Sequence, residues 1–217
     1  MIARPNPRGA LLATARAMMR MKLSTGTSGN VSVRIAAERF LITPSGLVAE
    51  VCGEEDMTMV DLDGETDGCR VPSSEWRLHR DIYARFAEAG AILHTHSPFA
   101  TALACQRRDI PAFHYMIARF GGSDVRCAAY ATFGTQALSD AAIAALENRK
   151  ACLLANHGML VWARDLTQVL AFAEEFETLC EQYWRTCLVG APVLLTAAEM
   201  ADVVERFSGY GEPPEKV

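Results

Sequence analysis

The chain has 217 residues, half of them apolar, and a formal net charge of −5, a size and balance that fit one layered α/β unit with a sizeable core. Its longest basic clusters are pairs such as Arg107-Arg108, which excludes the charge footprint of a nucleic-acid binder, and no apolar run approaches the roughly 18 residues of a membrane span. The first residues carry no signal-peptide core, and the seven scattered cysteines contain no Cys-x-x-Cys pair, so the expectation is a cytoplasmic protein with reduced, mostly buried thiols.

Residues 9 to 23 place Leu11, Leu12, Ala15, Met18, Met19 and Leu23 at helical spacing, with Arg16 and Arg20 on the other face. A small-residue loop, Ser24 to Asn30, leads into alternating Val31, Val33 and Ile35, the pattern of a half-buried strand. Phe40-Leu41-Ile42 reads as a strand running into the tight turn Thr43-Pro44-Ser45-Gly46. Met57 to Leu62 reads as another strand, followed by the hairpin-type turn Asp63-Gly64. A helix is expected from Ser73, capped by Ser74, with Leu78, Ile82 and Phe86 on one stripe and Gly90 ending it. After the short apolar strand Ala91 to His96, Ser97-Pro98 opens a helix that runs to Cys105. Residues 111 to 135 have few periodic signals and are expected to be loop-rich with short strands. Helices at 139–146, 165–188 and 196–207 and buried strands at 151–155 and 159–163 follow, before a polar tail. Strands and helices interleave too closely for separate domains.

His94 and His96 stand i, i+2 at the end of an apolar strand, so both rings point to one face. Two readings stay open: a pair of solvated strand-end residues, or ligands for a first-row metal. His157 is delivered in the same way, at the end of the apolar run Leu153-Leu154-Ala155, as a satisfied core histidine or as the third ligand. Glu75, beside Ser73 and Ser74 at a helix start, is a common first-turn acid or the carboxylate of this site. His79, one turn later, is taken as structural or surface. Gly29-Asn30 and Ser45-Gly46 place backbone amides and a polar side chain at strand termini, nests that suit a phosphate without a lysine. Three histidines with three such segments point to a phosphorylated substrate whose other end meets a metal.

In chain order, Gly26-Thr27-Ser28-Gly29-Asn30-Val31-Ser32, Thr43-Pro44-Ser45-Gly46, Ser73-Ser74-Glu75, His94-Thr95-His96 and Asn156-His157-Gly158 resemble the class II aldolase/adducin family over nearly the whole chain. Ile110 to Ala118 and Tyr130 to Thr135 are most similar to the branch that cleaves L-fuculose 1-phosphate. The resemblance implies a single domain, 1–217, with a short tail from about 208. Its fold would be three-layer α/β/α with a mainly antiparallel central sheet, assembled as a fourfold homotetramer with active sites at subunit interfaces. It further implies Zn²⁺ held by Glu75, His94, His96 and His157, a donor set that also suits Mn²⁺, Fe²⁺ or Co²⁺. Phosphate would be bound by Asn30, Ser45, Gly46, Ser73 and Ser74, with backbone from Gly29. Tyr115 would reach a neighbouring subunit as proton donor and acceptor, and Phe133 and Tyr210 would lie near the aldehyde half of the substrate. The implied reaction is reversible cleavage of a ketose 1-phosphate (L-fuculose, 5-deoxyribulose or 5-methylthioribulose) to dihydroxyacetone phosphate and an aldehyde. The metal would act as Lewis acid, Glu75 as the base at C3, and no lysine Schiff base would be required. Rival readings within the fold are a pentulose-phosphate 4-epimerase and a methylthioribulose-1-phosphate dehydratase; outside catalysis, an adducin-like interaction module. The segment around Tyr115 and the retained histidines argue against all three.

Overall fold

The computed structural model describes residues 6–208. Helix α1 (Pro7–Arg20) starts earlier than the apolar pattern alone implies, because the Asn6 side chain accepts the Arg8 N–H and Pro7 suits the first helical position. It also stops sooner, with Lys22 at φ 59° turning the chain before Leu23. Strands β1 (Asn30–Ala36) and β2 (Arg39–Ile42) form a hairpin, and β3 (Thr58–Asp61) returns beside β2. The Asp63-Gly64 turn adds a two-residue strand, β4 (Thr66–Asp67), too short to leave a sequence signal. Helix α2 (Trp76–Arg85), strand β5 (Ala91–Thr95) and helix α3 (Pro98–Ala104) follow. The poorly periodic stretch holds a 3-10 turn, Tyr115–Phe120, ended by Gly121 at φ 97°, and strand β6 (Arg126–Ala128). Helix α4 (Gln136–Ala145), strands β7 (Ala151–Leu154) and β8 (Gly158–Ala163), the long helix α5 (Leu166–Val189) and α6 (Ala197–Ser208) complete the order.

The eight strands make one open sheet in the order β4-β3-β2-β1-β5-β8-β7-β6, antiparallel throughout except for β6 beside β7. Strand alternation sends successive side chains to opposite faces, and the core divides accordingly. Val31, Leu41, Leu93, Leu153 and Val161 pack under α1, α3 and α5, with Leu11, Ala100, Phe172 and Phe176. Phe40, Ile42, Ile92, Leu160 and Trp162 pack on the other face against Leu78 and Ile82 of α2 and Leu138 and Ala142 of α4. The expected three layers and mainly antiparallel sheet are therefore present. All seven cysteines are free thiols, but only Cys52, Cys152 and Cys180 are buried. The expectation of mostly buried thiols is corrected: Cys69, Cys105 and Cys187 are exposed and Cys127 is half-buried. Among the described residues no helix is long and apolar enough to cross a membrane.

Gly90 joins α2 to the central strand β5 at a point of close backbone approach. Its N–H donates to the Ala163 carbonyl at 2.8 Å, and a Cβ there would lie 1.9 Å from the Arg164 carbonyl oxygen. Because the obstacle is backbone, it cannot swing aside. Gly90→Ala should cost about 1–3 kcal/mol or more, read as a lower midpoint in urea unfolding; an unchanged midpoint would show that the β5–β8 edge yields freely.

Candidate active site

Strand β5 lies between β1 and β8, with His94 opposite Asn30 on one side and Leu160 on the other. His94 shares the face of Ile92 that α2 covers, and His96 follows just past the strand end. His157 comes from the tight β7–β8 turn, which Asn156 enables by taking φ 53°, a conformation asparagine tolerates. Only glycine fits after it, since a Cβ on Gly158 would lie 2.2 Å from the Thr95 carbonyl oxygen. The segment after His96 is fixed by a residue that its sequence setting did not single out. The Glu177 carboxylate on α5 accepts from the Ser97 hydroxyl at 2.6 Å and from the Phe99 and Ala100 N–H groups at 2.8 and 2.9 Å.

The three histidines converge. One ring nitrogen from each lies within 4.8 Å of the others, and the rings stand edge to face with centroids 4.7, 4.8 and 5.0 Å apart. Glu75 closes the group, with Oε2 3.2 Å from His94 Nε2 and Oε1 3.5 Å from His157 Nε2. Burial pushes the His94 pKa down to about 3 and, with nearby His94 adding to the effect, that of His157 down to about 4; burial also lowers that of His96. The rings are therefore neutral, and the contacts with Glu75 are not ion pairs. His94 Nδ1 lies 2.9 Å from the Met159 carbonyl, which can only accept, so the ring proton sits on Nδ1 and Nε2 presents a bare lone pair. That lone pair faces a carboxylate oxygen and, at 3.1 Å, His96 Nε2. Glu75 Oε1 is buried and accepts no hydrogen bond. Electron-pair donors crowded in this way fit one divalent cation, and three imidazoles with a carboxylate are a donor set suited to zinc and its neighbours.

The hydrogen bonds behind Glu75 are equally definite. Asn30 Nδ2 donates to Glu75 Oε2 at 2.9 Å, and Asn30 Oδ1 meets His79 Nε2 at 2.5 Å. Of the two places left open for His79, the surface is corrected: the residue is fully buried, with both ring nitrogens in hydrogen bonds. Asn30, expected at the phosphate, is itself 4 % exposed and holds Glu75, leaving one amide N–H uncommitted.

In front of the histidines lies a cavity of about 330 Å³. One wall is built from Ser28, Gly29, Ser45, Gly46, Ser73 and Ser74, so the three small-residue segments do meet. They meet because Ser45 N–H donates to the Val71 carbonyl and Ser73 N–H to the Thr43 carbonyl, which ties the turn to the start of α2. Gly29, at φ 79°, brings the first loop against β5, where a Cβ would lie 2.9 Å from the His94 carbonyl oxygen. The expected cap of α2 is corrected: Glu75, not Ser74, is the N-cap, and no side chain caps it; Ser73 Oγ accepts the Glu75 N–H at 3.3 Å. The first N–H groups of α2 are largely committed within the turn, Trp76 donating to the Ser73 carbonyl and Leu78 to the Glu75 carbonyl, both at 3.0 Å. Tyr130, Ala131 and Phe133 form another part of the lining, and Glu75, His96 and His157 reach it. Tyr115 does not; it is 50 % exposed and lines a different surface with Arg119 and Lys150. Tyr210 lies outside the described residues.

The family described as Class II Aldolase and Adducin N-terminal domain matches residues 9–184. The chain is 51 % identical over 205 residues to the 5-methylthioribulose-1-phosphate/5-deoxyribulose-1-phosphate aldolase of Rhodospirillum rubrum, covering 94 % of this chain and 92 % of that one. It is 42 % identical over 202 residues to the L-fuculose phosphate aldolase of Escherichia coli, covering 93 % and 94 %. A solved L-fuculose 1-phosphate aldolase superposes with a TM-score of 0.90 at 39 % identity, over 95 % of this chain and 98 % of that one. The chain belongs to the class II aldolase and adducin N-terminal domain family.

Proposed function

We propose that the protein is a metal-dependent aldolase that reversibly cleaves a ketose 1-phosphate to dihydroxyacetone phosphate and an aldehyde. The observation that carries this reading is the convergence of three neutral imidazoles and an unpartnered carboxylate oxygen at the mouth of a serine- and glycine-lined cradle. Relatives at 42 and 51 % identity, matched over nearly their full lengths, are named for such reactions. We place 5-deoxyribulose and 5-methylthioribulose 1-phosphates, which the 51 % relative is named for, ahead of L-fuculose 1-phosphate. Aromatic Tyr130 and Phe133 on the cavity lining suit an aldehyde end with an apolar tip.

His94, His96, His157 and Glu75 would hold the ion, Zn²⁺ in our reading, which when bound supplies Lewis acidity toward the ketose oxygens. The remaining chemistry belongs to the chain. Ser45, Gly46, Ser73 and Ser74, with Gly29 and the spare N–H of Asn30, bind the phosphate and seat the reacting carbons beside Glu75. In the condensation direction Glu75 takes the C3 proton of dihydroxyacetone phosphate, and Tyr115 gives a proton to the aldehyde oxygen as the C3–C4 bond forms. Cleavage reverses both transfers. Tyr115 lies off the cavity of its own chain, so in this reading a neighbouring copy delivers it, within a homotetramer with sites at subunit interfaces. One continuous sheet supports the single domain we propose, while the tail expected beyond residue 208 lies outside the described residues. Free thiols support a cytoplasmic setting.

Metal-loaded protein incubated with the three ketose 1-phosphates should release dihydroxyacetone phosphate, fastest from the two deoxy or methylthio pentulose phosphates; release from none would overturn the reading. Glu75→Gln and Tyr115→Phe should each lower kcat by about 10²–10⁴-fold while the assembly persists. Co-expressed, the two variants should regain activity in mixed assemblies, where one chain supplies Glu75 and its neighbour Tyr115. Absence of that rescue would contradict a Tyr115 shared between subunits.

A further inference from the structure

Behind Glu75 runs a buried chain of side chains that the reaction as described does not use. His79 lies one helical turn after Glu75 on α2, fully buried, with Nε2 2.5 Å from Asn30 Oδ1 and Nδ1 2.7 Å from Ser32 Oγ. Ser32 Oγ in turn lies 2.8 Å from the Tyr83 hydroxyl, one further turn along α2. Asn30 and Ser32 alternate on β1 and so share the face that α2 covers.

The donor and acceptor roles along this chain have one consistent solution. Burial drives the His79 pKa down to about 3, leaving a neutral ring with a single N–H, and burial raises the Tyr83 pKa, which keeps its hydroxyl protonated. Asn30 must turn its NH₂ toward Glu75, because its oxygen there would face a carboxylate oxygen at 2.9 Å. Its oxygen therefore faces His79, whose proton sits on Nε2. Bare Nδ1 accepts from the Ser32 hydroxyl, and Ser32 accepts from Tyr83. Every link from Tyr83 to Glu75 donates in the same direction, and reversing the Asn30 amide requires moving the His79 proton to the other nitrogen.

We propose that His79 is a positioning residue for Glu75: it locks the Asn30 amide so that only Oε2 of the carboxylate is held, leaving Oε1 free for the transferred proton. The geometry behind this is that Asn30 meets Glu75 through Nδ2 on Oε2 and His79 through Oδ1. A buried neutral imidazole needs a partner on each nitrogen, and here the partner of Nε2 is the residue that holds Glu75. The inference rests on Glu75 being the base at C3.

The test is exchange of solvent deuterium into dihydroxyacetone phosphate in D₂O without an aldehyde, which isolates the proton transfer of Glu75 from that of Tyr115. His79→Leu should slow exchange by about 10–100-fold with the bound-metal content unchanged. His79→Gln, which retains both an N–H donor and an acceptor, should recover most of the rate. Wild-type exchange in His79→Leu, or an equal loss in both variants, overturns the proposal. Glu75→Gln separates the two levels: if it too exchanges normally, the base assignment fails, and if it alone is inactive, only the role of His79 fails. Should His79→Leu not fold, ¹⁵N NMR of the wild-type imidazoles decides the matter. A neutral Nε2–H tautomer at His79 is expected, and an Nδ1–H tautomer or an imidazolium overturns the proposal.

Discussion

Electron-pair donors aimed at one another, from buried His94 and Glu75 to His96 on the cavity side, are the constraint around which this molecule is arranged. A neutral imidazole lone pair held 3.2 Å from a carboxylate oxygen gains nothing from the contact unless a positive charge lies between them. In the interior the penalty for such an arrangement is larger than in water. The scaffold holds the donors there regardless. β5 is locked between two antiparallel neighbours, Gly158 lets the β7–β8 turn close over it, and Glu177 clasps the chain immediately after His96. A site assembled from the ends of separate strands and a helix start, each fixed by its own hydrogen bonds, is pre-organised for a cation.

Glu75 sits at the junction of the two halves of this arrangement. As the N-cap of α2 it stands beside the serine- and glycine-lined cradle, and its side chain reaches back to the histidines. Its backbone N–H is held by Ser73, a residue of the cradle, and its Oε2 by Asn30, a residue of β1. A group tied to the cradle, the metal donors and the buried relay is well placed to link phosphate seating with proton transfer at the adjacent carbon. Tyr115, proposed as the donor of the other proton, lies off this cavity in its own chain.

Much of this was legible in the sequence because it is written in local patterns. The i, i+2 histidines, the alternating β1 and the Gly/Ser turns each encode their geometry within a few residues, and family motifs at matching spacings join them into one site. What escaped depends on contacts between elements distant in sequence. A serine next to a helix start reads as its cap, yet pairing between Thr43–Ser45 and Val71–Ser73 draws that serine into the cavity and leaves Glu75 at the cap position. His79 carries no local mark of burial, because its partners are 47 and 49 residues away. Glu177 looks like any charged residue of a long helix until α3 is placed against it. The two-residue β4 and the 3-10 turn at Tyr115 are too short for periodicity to register.

The central claim is that the four converging side chains are one metal centre. X-ray absorption at the metal edge of stoichiometrically loaded protein tests it most directly. The expected result is one ion per chain with three imidazole nitrogens and a carboxylate oxygen at about 2.0–2.2 Å, and loss of the oxygen contribution in Glu75→Ala. A spectrum lacking the three imidazole contributions, or unchanged by replacing His94, His96 and His157, would contradict it.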